Sequence, residues 1–130
     1  MKIDRIDHIV LTVSSLEATC AFYERVLGMK VETFYPDDGT VRKALSFGAQ
    51  KINLHQAGAE FEPKAAAPAP GTGDLCFISA TPLAQVEEHL RQTGVAIEEG
   101  PVARTGATGA LTSLYFRDPD GNLIEVATYD

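Results

Sequence analysis

With 130 residues, 45% of them hydrophobic, the chain carries enough apolar material for one compact domain with a real core, which excludes a largely disordered protein. Its 11 basic and 18 acidic residues leave a net charge of −7, a balance that repels phosphate backbones and argues against a nucleic-acid partner. No apolar run approaches the roughly 20 residues that span a bilayer, and the opening MKIDRIDHIV interleaves acids and does not read as a secretory signal, so a cytoplasmic protein is expected.

IDHIVLTV, residues 6–13, is dominated by aliphatic and β-branched residues and reads as a strand. A helix follows. Ser14 with Glu17 suggests a capping box, Leu16, Cys20, Tyr23 and Leu27 recur at helical spacing, and Gly28 stands where the helix should stop. MKVETFYP, TVRKALSFG and KINLHQ then alternate as strands, with turns at Asp38-Gly39 and Gly48-Ala49-Gln50. Residues 57–73, AGAEFEPKAAAPAPGTG, are rich in proline, alanine and glycine and read as a linker. Beyond it DLCFISA is a strand. Thr81-Pro82 opens a helix through Leu83, Val86 and Leu90 that stops at Gly94. AIEEGPV, ALTSLYFRD and NLIEVAT are three further strands, and Asp118-Pro119-Asp120-Gly121 is a structural turn between the last two.

The order strand, helix, strand, strand, strand therefore occurs twice, in a first module over 1–56 and a second over 74–130. Laying Val13-Ser14-Ser15-Leu16 over Ala80-Thr81-Pro82-Leu83, and His55 over Glu125, superposes the two halves, and such a duplication tests every element twice. The expected fold class is α+β, with two tandem βαβββ modules.

Side chains alternate along a strand, so each strand can be divided into a face toward the helix and an open face. Ile9, Leu11 and Val13 suit the helix side, which leaves His8, Val10 and Thr12 open. Ile52 and Leu54 leave Asn53 and His55 open, and Ile124 and Val126 leave Glu125 and Leu123 open. Leu75, Phe77 and Ser79 are assigned to the open face, as are Ser113, Tyr115 and Arg117. Two histidines and one carboxylate thus occupy strand positions that would suit hydrophobes, and buried ionisable groups are costly unless paired or metal-bound. His8, His55 and Glu125 make a plausible set for one divalent transition metal, which could be Fe, Mn, Ni, Co or Zn. Phe77 and Leu75 are expected as cleft walls, with Ser113, Arg117 and Asn53 as further substrate contacts. Arg42, Lys43, Arg104 and Arg117 are candidates for binding a substrate carboxylate, Arg117 first because its strand parity matches Tyr115; most of them read as solvated charges, and His89 as a surface residue. Cys20 and Cys76, each in an apolar pattern, read as buried free thiols.

The pattern DHIVLTV…AFYERVLGM…FRDPDGNLIEV resembles the vicinal oxygen chelate superfamily over the whole chain except the linker. That group includes glyoxalase I, methylmalonyl-CoA epimerase, the extradiol dioxygenases, the fosfomycin-resistance enzymes and the bleomycin-binding proteins. The resemblance implies that the two modules form a curved eight-stranded, metal-holding cup, with metal positions on the first and fourth strands of each module. These map to His8, His55, Leu75 and Glu125, and Leu75 departs from the pattern because it cannot be a ligand. The resemblance also implies that Tyr115 donates a hydrogen bond to a substrate oxygen. The expected activity is that of a metal-dependent enzyme on a small, anionic, oxygenated substrate, glyoxalase-like or dioxygenase-like. The alternative is a non-catalytic binding protein of the bleomycin-resistance type. A homodimer is expected, with the modules either paired within a chain or exchanged between subunits.

Overall fold

The computed structural model describes all residues, Met1–Asp130. Two four-stranded mixed sheets and two helices occur in the expected order: β1 (His8–Val13), α1 (Leu16–Leu27), β2 (Lys30–Phe34), β3 (Arg42–Phe47), β4 (Gln50–Gln56), β5 (Asp74–Ile78), α2 (Leu83–Gln92), β6 (Glu99–Thr105), β7 (Ala110–Arg117) and β8 (Leu123–Tyr129). The strand orders β1-β4-β3-β2 and β5-β8-β7-β6 are the same topology written twice, with the first and fourth strands of each module paired in parallel. The chain divides into two compact units, Met1–Pro70 and Gly71–Asp130.

In the first unit α1 packs on β2, β3 and β4 and buries Thr19, Tyr23 and Val26 against them. The core beneath it is Leu11, Val13, Leu45, Ile52 and Leu54, all nearly inaccessible. The helix begins one residue later than the sequence suggests. Ser15, not Ser14, is the cap, its hydroxyl accepting from the Ala18 amide at 3.1 Å. Gly28 closes the helix at φ 65°, a left-handed conformation that any Cβ would strain. The segment after β4 is no free linker, because Phe61 folds back onto the sheet beside His55.

In the second unit Leu90, Leu114, Phe116, Ile124 and Val126 form the core. Pro82 sits at the cap position of α2 without a side-chain bond. The Ser79 hydroxyl instead accepts from the Thr81 amide at 2.9 Å, so the expected Thr81 cap gives way to a turn one step earlier. The turn before β8 is structural, as expected. The buried Asp118 carboxylate accepts from the amides of Asp120 and Asn122, each at 2.9 Å, and from the Asn122 side chain at 2.8 Å. The Asn122 side-chain Oδ1 then accepts from the Gly73 amide at 2.7 Å, tying the entry of β5 to the turn. No helix is long and apolar enough to cross a membrane.

Candidate functional site

Register decides which side chains share the face that no helix covers. In the first sheet Ile9 lies opposite Ile52, and Val10 opposite Asn53, which in turn faces Ala44 on β3. His8, Asn53 and His55 are on the open side, as expected. In the second sheet Leu75 lies opposite the fully buried Ile124, and Phe77 opposite Val126. Neighbouring residues of paired strands point the same way, so Leu75 and Phe77 belong to the helix side. This corrects their expected place as cleft walls. The open side of β5 carries Asp74 and Cys76 instead, with Cys76 opposite Glu125. Cys76 is accordingly exposed rather than a core thiol, and Cys20 is only partly buried.

The corrected register also shifts the equivalence of the halves. Ile9 opposite Ile52 corresponds to Leu75 opposite Ile124, and Leu45 opposite Ile52 to Phe116 opposite Ile124. Hence His8 corresponds to Asp74, and Asn53 to Glu125. Asp74 is the residue that sequence reasoning missed. Only the pairing of Leu75 with Ile124, matching that of Ile9 with Ile52, reveals it.

Glu125 is the best-supported polar group. Its Oε2 accepts from the Ser113 hydroxyl at 2.6 Å. The Cys76 thiol and the Tyr115 hydroxyl also reach its carboxylate, and Tyr115 is its cross-strand neighbour on β7. Arg104 donates from Nε to the Tyr115 oxygen at 3.0 Å and pairs with Glu99 at 3.1 Å. Desolvation of the sulfur, with the Glu125 charge beside it, pushes the Cys76 thiol up to about 11. Burial, in spite of Arg104, also raises the Tyr115 hydroxyl, so it stays a proton donor at neutral pH. Arg117 turns outward to the Glu98 carboxylate at 3.1 Å.

The first sheet is less furnished. His8 holds Asp7 through Nδ1 at 2.9 Å, which leaves Nε2 free. The Asn53 Oδ1 is buried and has no hydrogen-bond partner. His55 lies elsewhere. It sits opposite Thr12, four residues along from the Lys51 that faces His8. The two imidazoles are thus about 13 Å apart along the strands. Two parallel side chains at that spacing do not meet on one ion, which corrects the expected pairing of His8 with His55. No group of three or more His, Cys, Asp or Glu side chains is assembled in ligating geometry. Burial, reinforced by the Arg42 charge, holds the His55 imidazole below its ordinary 6.5.

The description "Glyoxalase/Bleomycin resistance protein/Dioxygenase superfamily" belongs to the family profile that residues 5–126 match. The chain is 60% identical over 129 residues to "Virulence protein STM3117" of Salmonella typhimurium (strain LT2), covering 99% of this chain and 87% of that protein. A crystal structure of that protein superposes with a TM-score of 0.94 at 59% identity, over 100% of each chain. "Glyoxalase domain-containing protein RDO1" of Mycosarcoma maydis is 50% identical, over 99% of this chain and 70% of its own length. At the level of fold alone, the lactoylglutathione lyase of Agrobacterium tumefaciens (TM-score 0.73, 24% identity, 98% and 95% of the chains) is similar. So is TnmS3 of Streptomyces sp. CB03234, described as an antibiotic binding protein (0.76, 21%, 100% and 99%).

Proposed function

Since the chain belongs to the Glyoxalase/Bleomycin resistance protein/Dioxygenase superfamily, we propose that it is a metal-dependent enzyme acting on a small oxygenated substrate held through two vicinal oxygens. The observation that carries this reading is the Glu125 carboxylate, on an uncovered sheet face with Ser113 bound to it at 2.6 Å and Tyr115 beside it. A surface carboxylate has no need of three neighbouring donors. A carboxylate that must hold a fixed orientation does.

The residues present fit a divalent ion. His8, tied to Asp7 through Nδ1, offers Nε2, as metal-ligating histidines with a carboxylate behind them do. The orphaned Asn53 Oδ1 is an acceptor in search of a cation. In the second unit the Asp74 and Glu125 carboxylates share the open face of their sheet, and nitrogen and oxygen donors of these kinds suit manganese or iron(II) better than zinc. When bound, the ion supplies Lewis acidity toward the substrate oxygens. Tyr115, protonated and oriented by Arg104, donates a hydrogen bond to the oxygen on which negative charge grows. Ser113 keeps the carboxylate from swinging, and the neutral Cys76 thiol serves as a donor rather than a nucleophile. The reaction classes matching this equipment are a glyoxalase-like isomerisation or lyase step and a dioxygenase step. A homodimer is part of the proposal.

The test is anaerobic reconstitution with Mn, Fe, Ni, Co or Zn, followed by a substrate screen that reads product and oxygen uptake separately. The expected result is turnover that needs metal and disappears in Glu125→Gln, with oxygen uptake marking the dioxygenase class. Tight binding of a small molecule with neither metal uptake nor turnover would replace the enzyme by a sequestering protein. Light scattering on the same sample should give twice the chain mass of 14.0 kDa.

A further inference from the structure

His55, released from the metal set, has a different setting. The β3–β4 register ends with Lys43 opposite Leu54, and continuing it one step sets Arg42 beside His55 on the open face. Phe61 lies over both. The Arg42 guanidinium stacks on its ring at 3.8 Å, and the His55 ring meets it edge to face at 5.4 Å and 85°. The other side of the guanidinium is fixed as well. Its Nη2 donates to the Asp38 carboxylate at 3.1 Å and its Nε to the Thr40 hydroxyl at 3.4 Å. Thr40 itself is locked to Asp38 by its amide at 3.0 Å and its hydroxyl at 2.6 Å.

Two sets of nitrogens are left over. Arg42 Nη1 makes no hydrogen bond, and neither ring nitrogen of His55 makes one, although both residues are half-buried. Glu60, whose charge acts on His55, is engaged with the backbone amides of Gly58 and of Glu60 itself, and Lys64 is paired with Glu62 at 3.2 Å. A guanidinium immobilised on three sides costs little entropy to use, and its free edge offers the planar donor that a carboxylate matches.

We infer that Arg42 and His55, roofed by Phe61, form a carboxylate-binding subsite on the open face of the first sheet. It lies about 13 Å from His8 along the strands. The inference rests on the proposed enzyme reading only for its biological use: the subsite would grip the acid group of the substrate, and so makes the substrate class a carboxylic acid. Arg42 Nη1 donates to one carboxylate oxygen and a His55 ring N–H to the other.

The subsite can be read on the metal-free protein. Acetate and succinate, with acetamide and succinamide as neutral counterparts, are titrated while the side-chain NMR signals of Arg42 and His55 are followed. The acids should shift both sets of signals and the amides neither. Arg42→Gln should weaken acid binding by about tenfold or more, the worth of a hydrogen bond to a charged group, and Phe61→Ala, which keeps both donors but frees the guanidinium, by less. His55→Gln gives a second reading should Arg42→Gln fold poorly. Equal shifts from acids and amides, or unchanged acetate affinity in both donor variants, would overturn the inference. Metal uptake measured on the same variants separates the two proposals. Retained uptake with lost acid binding supports the subsite, whereas a wild-type protein that binds acids but no metal refutes the metal reading alone.

Discussion

The two sheets have the same strand order and matching cores, yet their open faces are equipped differently. Glu125 in the second sheet is held by Ser113 and flanked by Cys76 and by Tyr115, which Arg104 in turn holds. Its counterpart by register, Asn53 in the first sheet, is a buried amide whose oxygen has no partner. Core positions must keep their volume because voids and overpacking both cost stability. Open-face positions are free of that constraint. A duplicated module can therefore diverge in its polar residues while Leu45–Ile52 and Phe116–Ile124 remain interchangeable in role.

The largest expected effect tests that shared skeleton. Phe116→Ala should cost about 3–5 kcal/mol and Leu45→Ala about 2–5 kcal/mol in urea denaturation, since both side chains are fully buried. A loss below about 1 kcal/mol at either site, against those core values, would break the equivalence of the two sheets.

The next largest effect concerns the crowded side of the comparison. With the Cys76 thiol at about 11 rather than the ordinary 9.0, its thiolate population at pH 8 is about a hundredfold below that of a free cysteine. Iodoacetamide should modify this exposed thiol correspondingly slowly, and Glu125→Gln should speed the reaction by removing the charge. Alkylation at the rate of a model thiol would mean that the carboxylate does not face Cys76. Ser113→Ala should then lower metal affinity about 10–100-fold in calorimetry, as loss of an orienting partner does. An unchanged affinity would leave Ser113 a packing residue.

The smallest effect lies in the first sheet. His55 has a folded-state pKa below its ordinary 6.5, from burial first and the Arg42 charge second. The unfolded chain then binds the proton more tightly, so the contribution to stability is complete above pH 6.5 and is lost as the pH falls through the lower folded value. Melting temperature followed from pH 8 to 5 should decline less in His55→Gln than in wild type. Identical profiles would show the imidazole to be solvated.

The element order, the duplication and the open face of β1, β4, β7 and β8 were legible in the sequence, because β-branched alternation and helical spacing are local signals. The parity of β5 was not. DLCFISA is apolar on both faces, so nothing local separates Leu75 from Cys76, and only pairing with Ile124 decides. That single slip hid Asp74. The error over His55 had another origin. Parity tells which face a residue takes but not how far along the strand it stands, and only the opposition of His8 to Lys51 reveals the four-residue offset. The stacking of Phe61 on Arg42 depended on a segment whose composition reads as linker.

Metal stoichiometry across four proteins tests the central claim most directly: wild type, His8→Ala, Asp74→Asn and His55→Gln, each reconstituted with Mn(II), desalted and measured by elemental analysis. The expected result is about one ion per chain in wild type and in His55→Gln, with loss in His8→Ala and Asp74→Asn. Loss confined to His55→Gln, or full retention in Asp74→Asn and His8→Ala together, would contradict the proposed donors.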